Sequence, residues 1–321
     1  MSISSSDFLP MPFPFSEEGH FVSGVELWDW RRGATIAAKA AGVPIGEVDW
    51  LLQAVTTLDR LSLRLDSFKE QPQVELRLSL ADLTRLWEQR LQLRVPLQYL
   101  LGTSAWREFS LRVSPAVLIP RPETELLIDL AVSATQGLAH CELPRGHWAD
   151  LGTGSGAIAL GLAASFPHAE GIYAVDVSGA ALAVAQQNAQ DLGLSHKIQF
   201  YQGSWLQPLS HLKGRLSGLV ANPPYIPTAM LPELQPEVAW HEPHLALDGG
   251  QDGLECIRSL VSAGVDYLQP GGVWLVEMMA GQAGAVVELL EQSSYCQIQV
   301  HPDLAGIDRF ALGYRSELRQ S

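Results

Sequence analysis

The chain has 321 residues, of which 47% are hydrophobic, so it is long enough for one or two domains with a sizeable core. Its 35 acidic residues outnumber 21 Lys and Arg residues, and the formal net charge of -14 repels polyanions, which argues against nucleic acid as the main partner. The three cysteines form no Cys-x-x-Cys pair and no histidine stands at metal-ligand spacing, so we predict a reducing compartment and no metal site.

Residues 1–23 are predicted to form a flexible lead. They contain acidic residues, no Lys or Arg and no continuous apolar stretch, so they match neither a signal peptide nor a transit peptide. No apolar run in the chain reaches the roughly 18 residues that a membrane span requires. We therefore expect a cytoplasmic monomer that binds no membrane.

Residues 24–95 show apolar positions at helical spacing, as in Leu27, Trp30 and Ala34. Ser79, followed three residues later by Asp82, is typical of a helix start and predicts a helix over 80–93. This pattern predicts a small all-α N-terminal domain. Residues 96–120 change to short alternating runs, which we interpret as a hairpin or extended linker.

From residue 121 to the end, strand-like runs alternate with helical patterns. Such alternation predicts an α/β domain with a doubly wound, mostly parallel seven-stranded sheet, whose ligands bind at the carboxyl ends of the strands. The predicted strands are 148–151, 171–177, 198–202, 218–221, 273–278, 296–301 and 310–314. The predicted helices are 123–133, 157–165, 179–192, 254–268 and 282–291.

A glycine-rich segment follows the first predicted strand and opens a helix. Its residues are Asp150, Leu151, Gly152, Thr153, Gly154, Ser155 and Gly156. Glycines let the backbone approach a ligand closely, and Asp176 ends the next strand 20 residues after Gly156, where a carboxylate can accept hydrogen bonds from both ribose hydroxyls. The pattern predicts a site for an adenosine-type ligand.

Charge distinguishes between the candidate nucleosides. A dinucleotide would place its pyrophosphate at this turn, where Asp150 would repel it. S-adenosylmethionine has no phosphate and carries a sulfonium and an ammonium group, which suit Asp150. Trp205, just after the third strand, is placed to cover the adenine ring, although a tryptophan there is about as often a core residue.

The tetrapeptide Asn222-Pro223-Pro224-Tyr225, here called the NPPY loop, follows the apolar run 219–221. A planar NH2 group has two N–H donors, and the Asn222 side-chain oxygen and the Pro223 carbonyl can accept one each. The prolines fix the backbone and add no competing N–H, while Tyr225 can stack on the flat acceptor group. We interpret the loop as a rigid cradle that aligns a planar amine with the methyl group of the cofactor.

Two planar amines fit this loop equally well: an exocyclic base amine, such as adenine N6, and the side-chain amide of glutamine. A nucleic-acid enzyme would need a basic groove, and this chain is acidic, so a protein substrate is favoured and no stable nucleic-acid binding is expected. A nucleic-acid amine methyltransferase remains the alternative. A non-catalytic protein that binds S-adenosylmethionine is a third reading, which Asn222 and Tyr225 argue against.

The chain resembles the peptide chain release factor glutamine methyltransferases from Trp30 onward. The segments that carry the resemblance are 96–102, 118–125, 150–156, 222–226, 242–243, 247–254 and 306–309. The resemblance implies that the enzyme uses S-adenosylmethionine to methylate N5 of the glutamine in the Gly-Gly-Gln loop of release factors. It also implies that residues 24–95 form the family's N-terminal helical domain, to which we assign substrate docking.

By the same resemblance, Gly152 to Gly156, Asp176, Trp205 and Asn222 bind the cofactor, while the NPPY loop holds the substrate glutamine. Ser204 and Gly218 stand where the family often has acidic residues, and Ser204 leaves recognition of the adenine amine open. Arg121 and Glu123 are candidate walls of the substrate site, and a plain helix start explains them equally well. The histidines of the segment 241–244 lack the helical His-Glu-x-x-His spacing, so we interpret that segment as a loop without metal.

Overall fold

The computed structural model describes residues 19–136 and 142–317. The chain forms two compact units. The first ends at Thr103 and also contains Pro236–His241, and the second comprises Ser104–Gln235 and the chain from Glu242 onward. Most of the predicted lead, residues 1–18, lies outside the described residues, as does Cys141. None of the described helices is both long and apolar enough to cross a membrane.

The first unit is helical, as predicted. Ser79 caps the start of the helix predicted over 80–93, since its hydroxyl accepts the backbone N–H of Asp82 at 3.0 Å. The all-α prediction was incomplete, because this unit also contains a short two-stranded antiparallel ribbon. In one of its strands Val74 and Leu76 are buried while Glu75 between them is exposed, which is the period of a strand. The elements are α1 (Gly24–Ala41), α2 (Gly46–Val55), α3 (Arg60–Arg64), α4 (Leu80–Gln92), α5 (Leu97–Leu101), β1 (His20–Val22) and β2 (Val74–Leu76).

The second unit contains the remaining strands and helices. Two short strands, β3 (Thr103–Trp106) and β4 (Phe109–Arg112), form a small sheet of their own. The other strands are β5 (His147–Leu151), β6 (Gly171–Asp176), β7 (Ile198–Gln202), β8 (Leu216–Ala221), β9 (Leu268–Glu277), β10 (Tyr295–Pro302) and β11 (Asp308–Arg315). The helices are α6 (Leu126–Gln136), α7 (Ala157–Ser165), α8 (Gly179–Asp191), α10 (Glu255–Tyr267) and α11 (Ala283–Glu291), while α9 (Pro236–His241) belongs to the first unit.

The main sheet has seven strands in the order β10-β11-β9-β8-β5-β6-β7, and only the pairs that involve β11 are antiparallel. This confirms the predicted doubly wound, mostly parallel sheet. The predicted start of β9 at residue 273 is five residues late. Leu268 already pairs with Leu216, and an irregularity follows before Val273 pairs with Gly218, so the Pro-Gly-Gly segment that resembles a turn interrupts the ladder without ending it.

Apolar clusters cover both faces of this sheet. Neighbouring residues of β8 enter different clusters, Val220 on one face and Ala221 on the other, as the two-residue period of a strand requires. One cluster includes residues of α6 and α7, and the other includes residues of α10 and α11. The parallel strands β5, β6, β8 and β9 therefore lie buried with their carboxyl ends at one edge, where Leu151, Asp176, Ala221 and Glu277 end them.

Candidate active site

The glycine-rich turn after β5 is held by backbone hydrogen bonds to β6. The N–H groups of Gly152 and Thr153 both donate to the carbonyl of Val175 at 2.9 Å. Gly152, Gly154 and Gly156 have φ angles of 79°, 53° and 85°, which side chains rarely adopt. A methyl group at Gly156 would also lie 3.1 Å from Cβ of Ala185 in α8. The turn needs glycines for its backbone shape and for its packing.

Asp176 ends β6 beside this turn. Its Oδ2 accepts the Gly154 N–H and its Oδ1 accepts the Ser178 N–H, both at 2.9 Å. These bonds fix the carboxylate at the edge of the sheet, and each oxygen keeps a further lone pair. Asp176 can therefore accept hydrogen bonds from the two hydroxyls of a ribose.

Asp150 is fully buried beneath the turn. Its Oδ2 accepts the Thr153 hydroxyl at 2.6 Å and the Ala159 N–H at 2.9 Å, while its Oδ1 has no hydrogen-bond partner among the described residues. Burial raises the pKa of Asp150 to about 7, and the nearby charge of Asp176 adds to the rise. Asp150 braces the turn from behind, and its contact with a cofactor cation stays a prediction.

A cavity of about 390 Å³ opens at this edge of the sheet. Its volume is in the range of small-molecule sites. Many of the predicted site residues line it, namely Gly152, Thr153, Gly154, Ser155, Asp176, Trp205, Asn222, Pro224 and Arg121. Five predicted residues lie outside this lining, namely Asp150, Gly156, Pro223, Tyr225 and Glu123.

Trp205 forms part of the cavity wall above the turn. Its backbone has a φ of 49°, and a methyl group at Gly152 would lie 3.5 Å from its ring. The half-buried ring is thus next to the turn, where a flat ligand could stack on it. Ser204 lines the cavity beside it, and recognition of an adenine amine by that residue stays untested.

The NPPY loop begins immediately after β8, next to the turn after β5. Asn222 Nδ2 donates to the Thr124 hydroxyl at 3.1 Å, and Thr124 in turn donates to Glu277 Oε2 at 2.7 Å. The Tyr225 hydroxyl donates to Glu277 Oε1 at 3.1 Å. No described residue donates to the Oδ1 of Asn222, so this oxygen is available to a ligand in the cavity.

Glu277 is the buried centre of this network, with 1% of its surface exposed. Burial raises the pKa of its carboxyl group, while the hydrogen bonds from Thr124 and Tyr225 and the charge of Arg309 oppose the rise. Burial and the neighbouring Glu277 also raise the pKa of Tyr225 far above its ordinary value. Tyr225 therefore keeps its proton and remains a hydrogen-bond donor.

The backbone of Tyr225 and Ile226 is held by Gln282 and by the segment 247–249. Gln282 Nε2 donates to the Tyr225 carbonyl at 3.0 Å and to the Gly253 carbonyl at 3.2 Å. Gly249 N–H donates to the carbonyl of Ile226 at 2.8 Å, and Ile226 N–H donates to that of Leu247 at 3.0 Å. The loop thus has support on its backbone as well as on its side chains.

Arg121 lines the cavity and is paired with the buried Glu242, with 2.5 Å between Nη2 and Oε2. Burial raises the pKa of Glu242, and the charge of Arg121 opposes that rise. Glu123 is exposed. His241 Nε2 bonds to the Leu93 carbonyl at 2.7 Å within the first unit, and no group of three potential metal ligands occurs among the described residues.

Thr124, Glu277 and Gln282 were not identified from the sequence. Glu277 had a usable signal, because it is the last residue but one of the predicted strand 273–278. An acidic residue after an apolar run at this edge of the sheet could have been interpreted in the same way as Asp176. Thr124 was hidden in a segment interpreted as a helix start, and Gln282 at a helix start carried no pattern. Their roles depend on contacts between distant parts of the chain.

The cavity fits S-adenosylmethionine better than a dinucleotide. Asp176 offers ribose acceptors, and Trp205 offers a stacking surface. Arg121 is the one Lys or Arg among the described residues that line the cavity, and Glu242 already pairs with it. A pyrophosphate would therefore lack a free cation, whereas a sulfonium needs none.

Comparison with known proteins gives consistent matches. Residues 132–233 match the methyltransferase small domain family. A release factor glutamine methyltransferase from Synechocystis sp. is 52% identical over 291 residues, which cover 90% of this chain and 96% of that protein. One from Thermosynechococcus vestitus is 46% identical over 286 residues, which cover 89% and 96%. The solved hMettl16 catalytic domain, in complex with MAT2A 3'UTR hairpin 6, has a TM-score of 0.51 at 12% identity over 84% of this chain and 90% of that chain, a likeness of fold alone.

Proposed function

The chain belongs to the release factor glutamine methyltransferases, and from this membership we propose that it transfers the methyl group of S-adenosylmethionine to N5 of the glutamine in the Gly-Gly-Gln loop of peptide chain release factors. The observation that carries the proposal is the orientation of Asn222. Its Nδ2 is engaged by Thr124 while its Oδ1 accepts from no described residue, at the edge of the cavity. A primary amide in the cavity would find an acceptor there.

The glutamine amide nitrogen is a poor nucleophile, because its lone pair is delocalised into the carbonyl group. Asn222 Oδ1 and the Pro223 carbonyl each accept one of its N–H bonds, which holds the nitrogen in line and favours the positive charge that it develops. Tyr225 packs against the flat amide group. These roles require no covalent intermediate on the enzyme.

Bound S-adenosylmethionine supplies an electrophilic methyl group on a sulfonium. The amide nitrogen would accept this methyl group, and the cofactor sulfur would keep the electron pair of its former bond to carbon. The nitrogen then releases one proton to water. Gly152 to Ser155, Asp176 and Trp205 hold the cofactor in this scheme, with Asp150 and Gly156 supporting the turn from behind.

The remaining parts of the chain receive roles that follow from the substrate being a protein. Residues 24–95 dock the release factor outside its Gly-Gly-Gln loop, and Arg121 forms part of the wall near the glutamine, whereas Glu123 lies outside the cavity lining. The enzyme acts as a monomer in the cytoplasm, where translation takes place. Nucleic acid is not a substrate, since the charge of -14 repels it.

The test is transfer of labelled methyl from S-adenosylmethionine to a purified release factor. The same factor with its loop glutamine changed to alanine, duplex DNA and ribosomal RNA serve as parallel acceptors, and Asn222→Ala serves as the enzyme control. We expect label on the intact factor alone and at least a hundredfold loss of rate with Asn222→Ala, the order of effect seen when a preorganised transition-state contact is removed. Label on nucleic acid with none on the factor would overturn the proposed substrate.

A further inference from the structure

Thr124 and Glu277 connect to the NPPY loop without belonging to it. Glu277 ends β9 and Asn222 follows β8, which pair side by side with Ala221 opposite Val276. Thr124 lies in the short turn Glu123–Glu125 and is 4% exposed. Three separate segments thus place an amide, a hydroxyl and a carboxylate in one chain of hydrogen bonds.

We propose that Thr124 and Glu277 are positioning residues that fix which way the Asn222 amide faces, so that its oxygen and not its NH2 group meets the substrate nitrogen. The inference rests on the proposed function, since it assigns the residues that orient the Asn222 oxygen toward the substrate glutamine. Thr124 lines the cavity and Glu277 does not, and neither residue is assigned a contact with the reacting atoms. They act through Asn222.

The direction of the hydrogen bonds supplies the argument. Both oxygens of the Glu277 carboxylate accept, one from Thr124 and one from Tyr225. The Thr124 hydroxyl has a single proton, which it gives to Glu277, so only its lone pairs remain for Asn222. Asn222 must therefore turn its NH2 group toward Thr124, and its Oδ1 must turn away.

The reverse orientation would be unproductive. It would bring the Asn222 NH2 group against the NH2 group of a glutamine, two donors without an acceptor, and would place Oδ1 against the lone pairs of Thr124. An asparagine amide is nearly symmetric in shape, so packing alone distinguishes these two orientations poorly. The buried carboxylate of Glu277 distinguishes the two orientations, because one of its oxygens accepts the Thr124 proton. Tyr225, which keeps its proton, donates to the other oxygen.

The chain itself offers a simple spectroscopic test. It contains two asparagines, Asn188 and Asn222, so ¹⁵N-asparagine labelling yields two side-chain NH2 signals. Asn188 is buried, donates to the carbonyls of Arg112 and Ser155 and accepts the Arg112 N–H. It is an internal reference whose bonds do not involve Thr124.

The decisive pair of variants is Thr124→Val, which keeps the shape and removes the hydroxyl, and Thr124→Ser, which keeps the hydroxyl. We expect the Asn222 NH2 protons of Thr124→Val to exchange with solvent at least tenfold faster than in the wild type, with Asn188 unchanged and Thr124→Ser close to the wild type. Loss of the Asn222 signal in Asn222→Ala assigns the spectrum. Unchanged Asn222 exchange in Thr124→Val would overturn the inference, and the wild-type protein alone would overturn it if its Asn222 amide exchanged as freely as a solvated one.

Kinetics with the release factor give the second readout. We expect Thr124→Val to lower kcat about tenfold, the value of one neutral hydrogen bond, with Thr124→Ser restoring it. KM for the factor should change less than twofold, because a protein substrate also binds outside this cavity. A purely structural role would lower the melting temperature of Thr124→Val without separating it from Thr124→Ser in kcat per folded enzyme.

The two readouts separate this inference from the proposed function. If the wild type methylates the factor and both Thr124 variants match it, the inference fails and the function stands. If Thr124→Val releases the Asn222 amide but no release factor is methylated by the wild type, the substrate assignment fails and the positioning network stands.

Discussion

Asp150 links the pH dependence of stability to the glycine-rich turn. Its pKa rises from 3.8 to about 7 on folding because the carboxyl group is buried. A carboxyl group whose pKa is higher in the folded protein than in the unfolded one stabilises the folded state fully at pH values below its unfolded pKa. This stabilisation is lost as the pH rises through its folded pKa. As the pH rises from 4 to 7, we predict that ionisation of Asp150 lowers the free energy of unfolding by up to about 1.4 kcal/mol per pH unit.

Asp150→Asn tests this, because its amide oxygen can still accept from Thr153 and Ala159 and it does not titrate. Urea unfolding of both proteins at pH 5 and pH 8 should show that the wild type loses more stability than Asp150→Asn as the pH rises. Parallel losses in the two proteins would contradict the raised pKa.

At this scale the sequence identified residue types better than the directions they face. Asp150 stands two residues before the first glycine, but this spacing could not show that its side chain points behind the turn, toward Ala159. Asn222 was recognised by its neighbours in the chain. Thr124, which orients it, is 98 residues away in sequence, and no local pattern connects the two.

The segment 248–254 works as an element that supports the NPPY loop. Gly253 has a φ of 75°, and a methyl group there would lie 2.3 Å from the Tyr225 carbonyl oxygen. We predict that Gly253→Ala shifts the Tyr225 backbone and lowers kcat at least tenfold, since displacing a positioned group by about 1 Å has effects up to a hundredfold. Methyl transfer to a release factor measures the effect.

Gly271→Ala is the matched control for this variant. Gly271 has the same φ of 75°, but a methyl group there would have no atom within 4 Å. Both variants carry the cost of a left-handed backbone, about 1 kcal/mol, and only Gly253→Ala adds the contact with Tyr225. Equal kcat values for the two variants would show that strain, and not the contact, is responsible.

Elements with clear local patterns were the most predictable. The predicted bounds of α7 and β7 match those of the structure, and β8 is only two residues longer than predicted. The ribbon of β1 and β2 was missed because three-residue strands are too short to show alternation. A sequence pattern indicates which residues of a segment are buried. It could not show that β9 continues through its Pro-Gly-Gly segment, because that continuation depends on pairing with the neighbouring strand β8.

On the scale of the whole molecule, the first unit is completed by a segment from the second half of the chain. Within this unit, Arg90 of α4 is 3% exposed and binds both oxygens of Glu47, at 2.6 and 2.9 Å, and Glu237 of the segment Pro236–His241 at 2.8 Å. The sequence showed Arg90 only as a charged position on a helix. Its partners are 43 and 147 residues away, so the chain's return to the first unit could not be predicted.

We predict that Arg90→Met destabilises the protein by about 3–5 kcal/mol, because it leaves two largely buried carboxylates without their shared cation. Arg85→Met in the same helix is the control, since Arg85 is 58% exposed and its pair with Asp82 is worth less than about 1 kcal/mol. Urea unfolding measures both, and hydrogen–deuterium exchange should rise in the segment 236–241 of Arg90→Met alone. Similar losses of stability in the two variants would mean that Arg90 contributes no more than a surface charge does. Unchanged hydrogen–deuterium exchange in the segment 236–241 would mean that α9 is held by its other contacts, such as Arg94 with Glu237.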